Sequence, residues 1–267
     1  MNSLVLALAD GTTVAKRNLI KTKRLPDVLV WTTMSPIMFV LLFAYIFGGS
    51  IDIPGTNYRE FLIAGIFAQN IIFGASFTGT ALADDMQKGI IDRFRSLPMA
   101  RSAVLFGRTA SDIFTNILTI TVMSATGLLV GWRIRSSVLE AVAGFLLLLV
   151  FAYAFSWVMA YVGLLVGSPE VVSNAAFMVI FPFTFIANTF VPSENLPAVL
   201  GTIAEWNPVS AVTQAARELF GNINPAAPPP EVWSLQNPVL YTLIWATLIV
   251  AVFVPLAVRQ YKRATSR

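Results

Sequence analysis

Asp112 stands near the start of a long apolar run, four residues after Arg108. A carboxylate held in lipid is costly, and only two uses offset that cost. It can hand on a proton, or it can pair with Arg108 one helical turn away. A proton relay needs a second acid inside another apolar run, and none is there. The pair therefore reads as an ion pair near a membrane surface, and a proton-coupled carrier has little to work with. There is no His and no Cys. Thiolate chemistry, disulfides and His-ligated metals are excluded, and an H-E-x-x-H zinc protease cannot exist here. With no facing acids, an intramembrane enzyme lacks its catalytic groups, so no catalytic residue and no metal site is assigned.

The uncharged polar residues of the apolar runs are Gln69, Asn70, Ser76, Thr78 and Thr80, then Asn116, Thr119 and Thr121, then Asn174 and Asn188. Such residues ordinarily hydrogen-bond between membrane helices. Asn70, Phe73 and Phe77 share one helical face, and so do Phe181, Phe185 and Asn188. A cavity lined by these rings and amides would take an amphipathic ligand. Simple packing of the rings is the other reading.

These residues need elements to hold them. The chain has 267 residues, 56% hydrophobic and 12% charged, with a mean hydropathy of +0.72. A soluble domain carries roughly 25% charged residues. Charge is also missing from runs long enough to cross a bilayer. Six spans are predicted, at Val28–Gly48, Phe61–Ala83, Asp112–Trp132, Ala141–Gly167, Val171–Val191 and Pro238–Val258. All are helices, because a span must satisfy its own backbone hydrogen bonds. The expected fold is an all-α integral membrane protein, a single transmembrane domain over residues 1–267. Pro36, Pro182 and Pro255 fall inside spans and predict kinks.

Of the 18 Lys and Arg residues, 14 lie in the N-terminal tail, the connection from second to third span, and the C-terminal tail. Arg59, Arg133, Arg135 and Arg217 fall on the other side. The positive-inside rule then places both termini in the cytoplasm. The net charge of +4 is a topology signal and does not point to nucleic acid. Residues 1–25 recur in apolar Leu4, Leu8, Ala15 and Leu19 against Lys16, Arg17, Lys21, Lys23 and Arg24. That pattern fits a helix lying in the membrane interface, or a frayed basic tail. The Leu4–Ala9 run has its basic residues after it, the wrong order for a secretory signal.

Two segments can carry mechanism. Asp84–Pro98, DDMQKGIIDRFRSLP, places Met86, Ile90, Phe94 and Leu97 on one stripe and its charges on the other faces. Acids come first and bases last, in keeping with the helix dipole. It reads either as a helix resting on the membrane or as a lever inserted into a partner. Gly167–Gly221 opens with the proline-bearing fifth span and continues in short pieces. Ser168, Pro169 and Glu170 carry helix-start signals on the cytoplasmic side. Leu196–Trp206 is a short apolar helix, and Asn207-Pro208 starts another that Gly221 ends, over Pro208–Phe220. Asn224–Pro230 is a stiff extended loop. No nucleotide loop G-x-x-x-x-G-K-[ST] occurs, so any ATPase is another chain.

Four stretches together, DMQKGIIDRFRSLPMARSAVLFGR, SPE, FPFTFIANTFVPSENLP and WNPVSAVTQAARELFG, resemble the membrane subunits of type-2 ABC exporters. The similarity is greatest to the daunorubicin-resistance-like permeases, and it covers nearly the whole chain in order and spacing. The resemblance implies six spans and a coupling helix at 84–98 that docks on a separate ATPase. It implies contacts there from Asp84, Asp85, Lys88, Ile90, Asp92, Arg93, Phe94 and Arg95, with a second contact at Ser168 and Glu170. It further implies a dimer, with a second copy or a sister permease, and a pathway beside Asn70, Phe73, Phe77, Phe181, Phe185 and Asn188. Short helices within 193–221 would close the outer gate, with Leu196, Trp206, Asn207, Pro208 and Arg217 in it. ATP and magnesium would bind the partner, leaving this chain with no cofactor of its own. The expected setting is a prokaryotic plasma membrane and the expected cargo an amphipathic or hydrophobic small molecule of drug, antibiotic or polyketide type. A lipid or glycan cargo is the alternative within exporters, and a passive channel or scaffold the alternative outside them.

Overall fold

A computed structural model of the chain describes residues 3–24, 26–46, 58–91, 103–223 and 229–264. The described residues form α-helices joined by turns, with no strand among them. In chain order these are α1 (Ser3–Arg24), α2 (Pro26–Ile46), α3 (Tyr58–Gln87), α4 (Ala103–Leu129), α5 (Val138–Val166) and α6 (Pro169–Ile186). A single 3-10 turn, Ser193–Asn195, leads to α7 (Ala198–Glu205), α8 (Pro208–Phe220), α9 (Trp233–Gln236) and α10 (Pro238–Ala264). Five helices, α3, α4, α5, α6 and α10, are long and apolar enough to cross a membrane. At the predicted first span, α2 runs through Pro36, and its apolar described stretch Thr33–Ile46 is shorter than a crossing needs.

The centre of the molecule is α3. It packs on α5 and α6 along its length and meets α4 and α8. At 30 residues it is about 45 Å long at 1.5 Å per residue. Its crossing with α5 is made by bare backbone. A Cβ on Gly79 would stand 2.5 Å from the Met159 carbonyl oxygen, and one on Gly163 would run into the Gly79 backbone. Only glycine allows so close an approach. α10 covers the far side of α5, and α1 lies along the first turns of α4. There a Cβ on Gly107 would meet the Gly11 carbonyl oxygen and the Val14 Cβ, each at 2.6 Å.

The spans alternate in direction, which defines two ends. One holds the end of α3, the start of α4 and Lys262 and Arg263 at the end of α10; it is called the basic end. The other holds the start of α3, the α4–α5 turn and α7 to α9; it is called the cap end. α5 begins at the cap end with a full capping box. Ser137 Oγ accepts from the Glu140 amide, and Glu140 accepts from the Ser137 amide, an arrangement that contributes about 1 kcal/mol. It stops at Gly167, whose φ of 69° is left-handed. The α4–α5 turn is bound to the end of α8. Asn222 accepts from the Trp132 indole N–H at 2.7 Å and donates to the Arg133 carbonyl at 2.8 Å. Arg135 and Ser136 add bonds to Phe220 and Leu219. Under that turn the rings of Phe67, Trp132, Phe145 and Phe220 pack edge to face or tilted, the arrangement that aromatic quadrupoles favour.

Two predicted elements differ. The fifth span was expected over Val171–Val191, but α6 ends at Ile186. Its next residues turn out of helix because side chains elsewhere take their backbone groups. The segment Asp84–Pro98 was expected as one helix. Instead α3 itself runs on to Gln87, Gly89 takes φ 64°, and helix resumes at Ile90. A left-handed residue cannot continue a right-handed helix, so Met86 and Ile90 do not share one unbroken helical face; the rest of the expected helix, residues 92–98, lies outside the described residues.

Candidate functional site

Past the end of α6 the chain makes a non-helical turn, Ala187–Phe190. Backbone groups that leave a helix in a membrane protein need other partners. Here several are supplied by side chains. Arg217 Nη2 donates to the Asn188 carbonyl at 2.7 Å and to the Thr189 carbonyl at 3.1 Å. Tyr58 Oη donates to the Phe190 carbonyl at 3.0 Å. The Asn188 amide donates to Ser210 Oγ at 3.0 Å. One turn earlier, Asn207 Nδ2 donates to the Phe183 carbonyl at 2.8 Å. The Thr189 carbonyl lies directly against the α-carbon of Gly65, where any side chain would collide.

Arg217 is the hub. It is 1% exposed. Its Nε donates to the Phe61 carbonyl at 3.0 Å, and its guanidinium lies 3.4 Å from the Phe61 ring centroid. Burial pushes its pKa down to about 9, so it stays charged at neutral pH. From the sequence Arg217 was expected on the outer side, among the gate residues. α8 turns it inward, and three carbonyl oxygens and one ring face replace its water. The other expected gate residues divide. Asn207 caps α8 by accepting from the Val209 amide at 2.8 Å, with Pro208 at the first helical position, and both are buried. Leu196 is half-buried, and Trp206 is half-exposed at the end of α7.

Below the turn runs a row of phenylalanines. Phe73 of α3 faces Phe177 of α6 at 6.1 Å between ring centroids, and Phe177 stacks on Phe181 at 5.1 Å. Phe181 stacks on Phe185 at 4.1 Å, and Phe185 meets Phe190 at 4.8 Å. Phe190 then stacks on Phe43 of α2 at 4.6 Å, and Phe43 on Phe39 at 5.7 Å. The row climbs α6, turns at Phe190 and descends α2. Phe177, Phe181 and Phe185 are exposed along it.

Of the predicted pathway residues, Phe73, Phe181 and Phe185 are in the row. Asn70 is half-buried and spends its amide on the Ile66 carbonyl of its own helix. Phe77 is 66% exposed further along α3. Asn188 does not share a face with Phe181 and Phe185, because α6 has ended before it. Its place is in the turn. Sequence reasoning missed Phe39, Phe43, Phe177, Phe190 and Tyr58. Phe177 and the pair Phe39–Phe43 follow the i, i+4 spacing and were findable; nothing local marks Phe190 or Tyr58.

At the basic end, Lys88 pairs with Asp84 at 2.8 Å; Lys88 is open to solvent and Asp84 half-buried. That bond raises the Lys88 ammonium above its ordinary pKa. Asp85 points inward, 3.6 Å from Arg17 of α1. Ile91, rather than Ile90, is buried, in a cluster with Val104, Leu105, Trp157 and Tyr261. Asp92, Arg93, Phe94 and Arg95 lie outside the described residues. Ser168 sits at the start of α6 but makes no bond to the helix backbone; its hydroxyl donates to Glu170 at 3.0 Å. The Met86 methyl lies 3.9 Å from where a Gly167 Cβ would be, so the end of α3 lies beside the turn that leads into α6.

The Arg108–Asp112 pair is present, at 3.5 Å, and Thr78 Oγ donates to the other Asp112 oxygen at 2.6 Å. Among the described residues no cluster of acids could hold a metal.

The ABC-2 type transporter family model matches residues 11–220. The chain is 32% identical over 246 residues to the daunorubicin resistance ABC transporter permease protein DrrB1 of Streptomyces coeruleorubidus, covering 92% of this chain and 83% of that one. It is 22% identical over 267 residues to the "Probable doxorubicin resistance ABC transporter permease protein DrrC" of Mycobacterium tuberculosis, 99% of this chain and 92% of that one. With its helices long and apolar enough to cross a membrane, the chain is a multi-pass membrane permease and belongs to the ABC-2 type transporter family.

Proposed function

We propose that this permease is the membrane half of an ATP-driven exporter of amphipathic or hydrophobic small molecules. Two permease chains, identical or sister, pair with two separate ATPase subunits that bind ATP and magnesium. The observation that carries the cargo class is the row of rings from Phe73 through Phe185 to Phe190. Stacked, partly exposed phenylalanines offer flat apolar contacts to many planar molecules and few hydrogen bonds to select among them. The drug-resistance names of the relatives support the same class.

The basic end is the cytoplasmic one on this reading, with α2 completing six spans and both termini inside a prokaryotic plasma membrane. Asp84, Lys88, Ile90 and the Ser168–Glu170 turn, with residues 92–95, meet the ATPase. ATP-driven motion there passes along α3, which reaches from that surface to Arg217, and opens the cap.

The test is efflux of a fluorescent planar amphipath from cells carrying the permease and its ATPase. Phe181→Ala with Phe185→Ala lowers efflux about tenfold, the equivalent of roughly 1.4 kcal/mol of cargo contact, with unchanged permease in the membrane. Full efflux by that double variant counts against the row as the pathway.

A further inference from the structure

Phe190 sits at the apex of the row, with its ring on Phe185 and Phe43 and little of it exposed. Nothing in its own helix holds it there, because α6 has ended at Ile186. It is placed by backbone contacts. Arg217 holds the two carbonyls before it, Tyr58 holds its own carbonyl, and Gly65 leaves room for the chain to lie against α3. Both donors belong to other elements, Arg217 to α8 and Tyr58 to the first residue of α3. The turn therefore cannot move away from α3 without breaking charge-assisted bonds in a buried site, which are stronger than neutral ones.

We infer that Arg217 is the positioning residue of the cap end: it holds the Ala187–Phe190 turn so that Phe190 shuts the row from that side at rest. The inference rests on the transport reading above and goes beyond it in naming which turn closes and what keeps it closed. Lysine would keep the charge but lose the fork. A single ammonium cannot reach the Phe61, Asn188 and Thr189 carbonyls together or lie flat on the Phe61 ring. The resting cap should then loosen locally, with the rest of the fold intact.

The chain has no cysteine, so single cysteines report cleanly. Ala187, 2% exposed in the turn, becomes the reporter as Ala187→Cys, and Ala160, 0% exposed near the basic end, the control as Ala160→Cys. The full permease with its ATPase, in lipid nanodiscs that leave both ends accessible, is treated with a water-soluble maleimide without ATP or cargo. Arg217→Lys raises labelling of the Ala187→Cys chain about tenfold, roughly 1.4 kcal/mol in the opening equilibrium, and leaves the Ala160→Cys chain unlabelled. Tyr58→Phe, which removes one hydrogen bond, moves labelling the same way by a smaller factor and decides the matter if Arg217→Lys does not accumulate. Unchanged labelling at Ala187→Cys overturns the inference. Labelling of both reporters overturns it too, since Arg217 would then be holding the whole fold. No cargo enters the experiment, so a mistaken cargo class leaves the result standing, whereas intact labelling with active efflux removes this inference alone.

Discussion

Arg17 of α1 stands 3.6 Å from Asp85 at the last helical turn of α3. Asn18, the next residue, is buried and donates to Ser111 of α4 at 3.4 Å. The N-terminal helix is thus fastened to both helices that flank the segment expected to meet the ATPase. Asp85→Asn should loosen α1 without unfolding the spans, because a partly exposed pair at this distance contributes about 1 kcal/mol or less. Limited trypsin digestion of vesicles should cut faster near exposed Lys16 and Arg24, with the core fragment unchanged. An identical digestion pattern would show that the Gly11, Val14 and Asn18 contacts suffice alone.

The crossing of α3 and α5 is built from backbone at Gly79 and Gly163. Gly79→Ala puts a methyl 2.5 Å from the Met159 carbonyl and 3.1 Å from Val172. Backbone on an adjacent span cannot swing away as a side chain can, so the helices must part, at about 1–3 kcal/mol or more. The expected result is a lower melting temperature in detergent and a smaller monodisperse peak. Gly74→Ala is the matched control, since the added methyl meets only the Asn116 side chain, at 3.3 Å. Equal behaviour of the two variants would mean that the crossing tolerates separation.

Glu60 and Arg135 form a two-pronged pair at the cap end, with contacts of 2.8 to 3.1 Å. Glu60 is 6% exposed at its side chain and Arg135 is 62% exposed. That asymmetry predicts unequal costs. Glu60→Gln frees an arginine that can turn to water, and the cost is small. Arg135→Ala leaves a buried carboxylate without its cation, at a cost of several kcal/mol in the worst case. Thermal melting of both variants should place Arg135→Ala well below Glu60→Gln. The reverse order would mean that water reaches Glu60 once Arg135 has gone.

How much of this was readable in advance follows the range of the interactions. α8 was legible to the residue because its signals are local: Asn207 caps it, Pro208 opens it and Gly221 closes it. α5 and α10 were legible as long charge-free runs. The early stop of α6 was not, because it is made by Arg217, 29 residues away from Asn188, and by Tyr58, 132 residues away from Phe190. The burial of Arg217 was not legible either, because only the meeting of the Phe61, Asn188 and Thr189 carbonyls around it makes burial tolerable. The break at Gly89 was hidden for a different reason. Glycine is compatible with helix, and the period of the apolar residues runs straight through it.

Asn222 is buried at the junction of α8 and the α4–α5 turn, and it satisfies two groups of that turn at once. Asn222→Ala leaves the buried Trp132 indole N–H unpaired, costing about 1–3 kcal/mol, and takes one partner from the part-buried Arg133 carbonyl. The turn is not part of the phenylalanine row. The variant should therefore lose stability in proportion while the molecules that remain folded transport normally. Efflux divided by folded permease, read against the melting temperature, separates the two. A loss of efflux per folded molecule would place this junction in the mechanism.

Asp112 is held by Arg108 at 3.5 Å and by Thr78 at 2.6 Å. A proton carrier would have to release both partners in each cycle. The geometry instead ties α3 to α4 near the basic end, close to where α1 is also fastened. Asp112→Asn keeps the shape and a Thr78 contact and gives up only the charge. Efflux should persist within a few-fold in that variant, and a protonophore that collapses the proton gradient should leave efflux unchanged while ATP is maintained. Arg108→Ala is the damaging change, because it strands a carboxylate inside the membrane domain. Its permease should fall in amount, and the Arg108→Ala, Asp112→Ala double variant should recover part of that loss. Efflux that stops in Asp112→Asn, at normal permease levels, would reopen the proton-coupled reading that the sequence argues against.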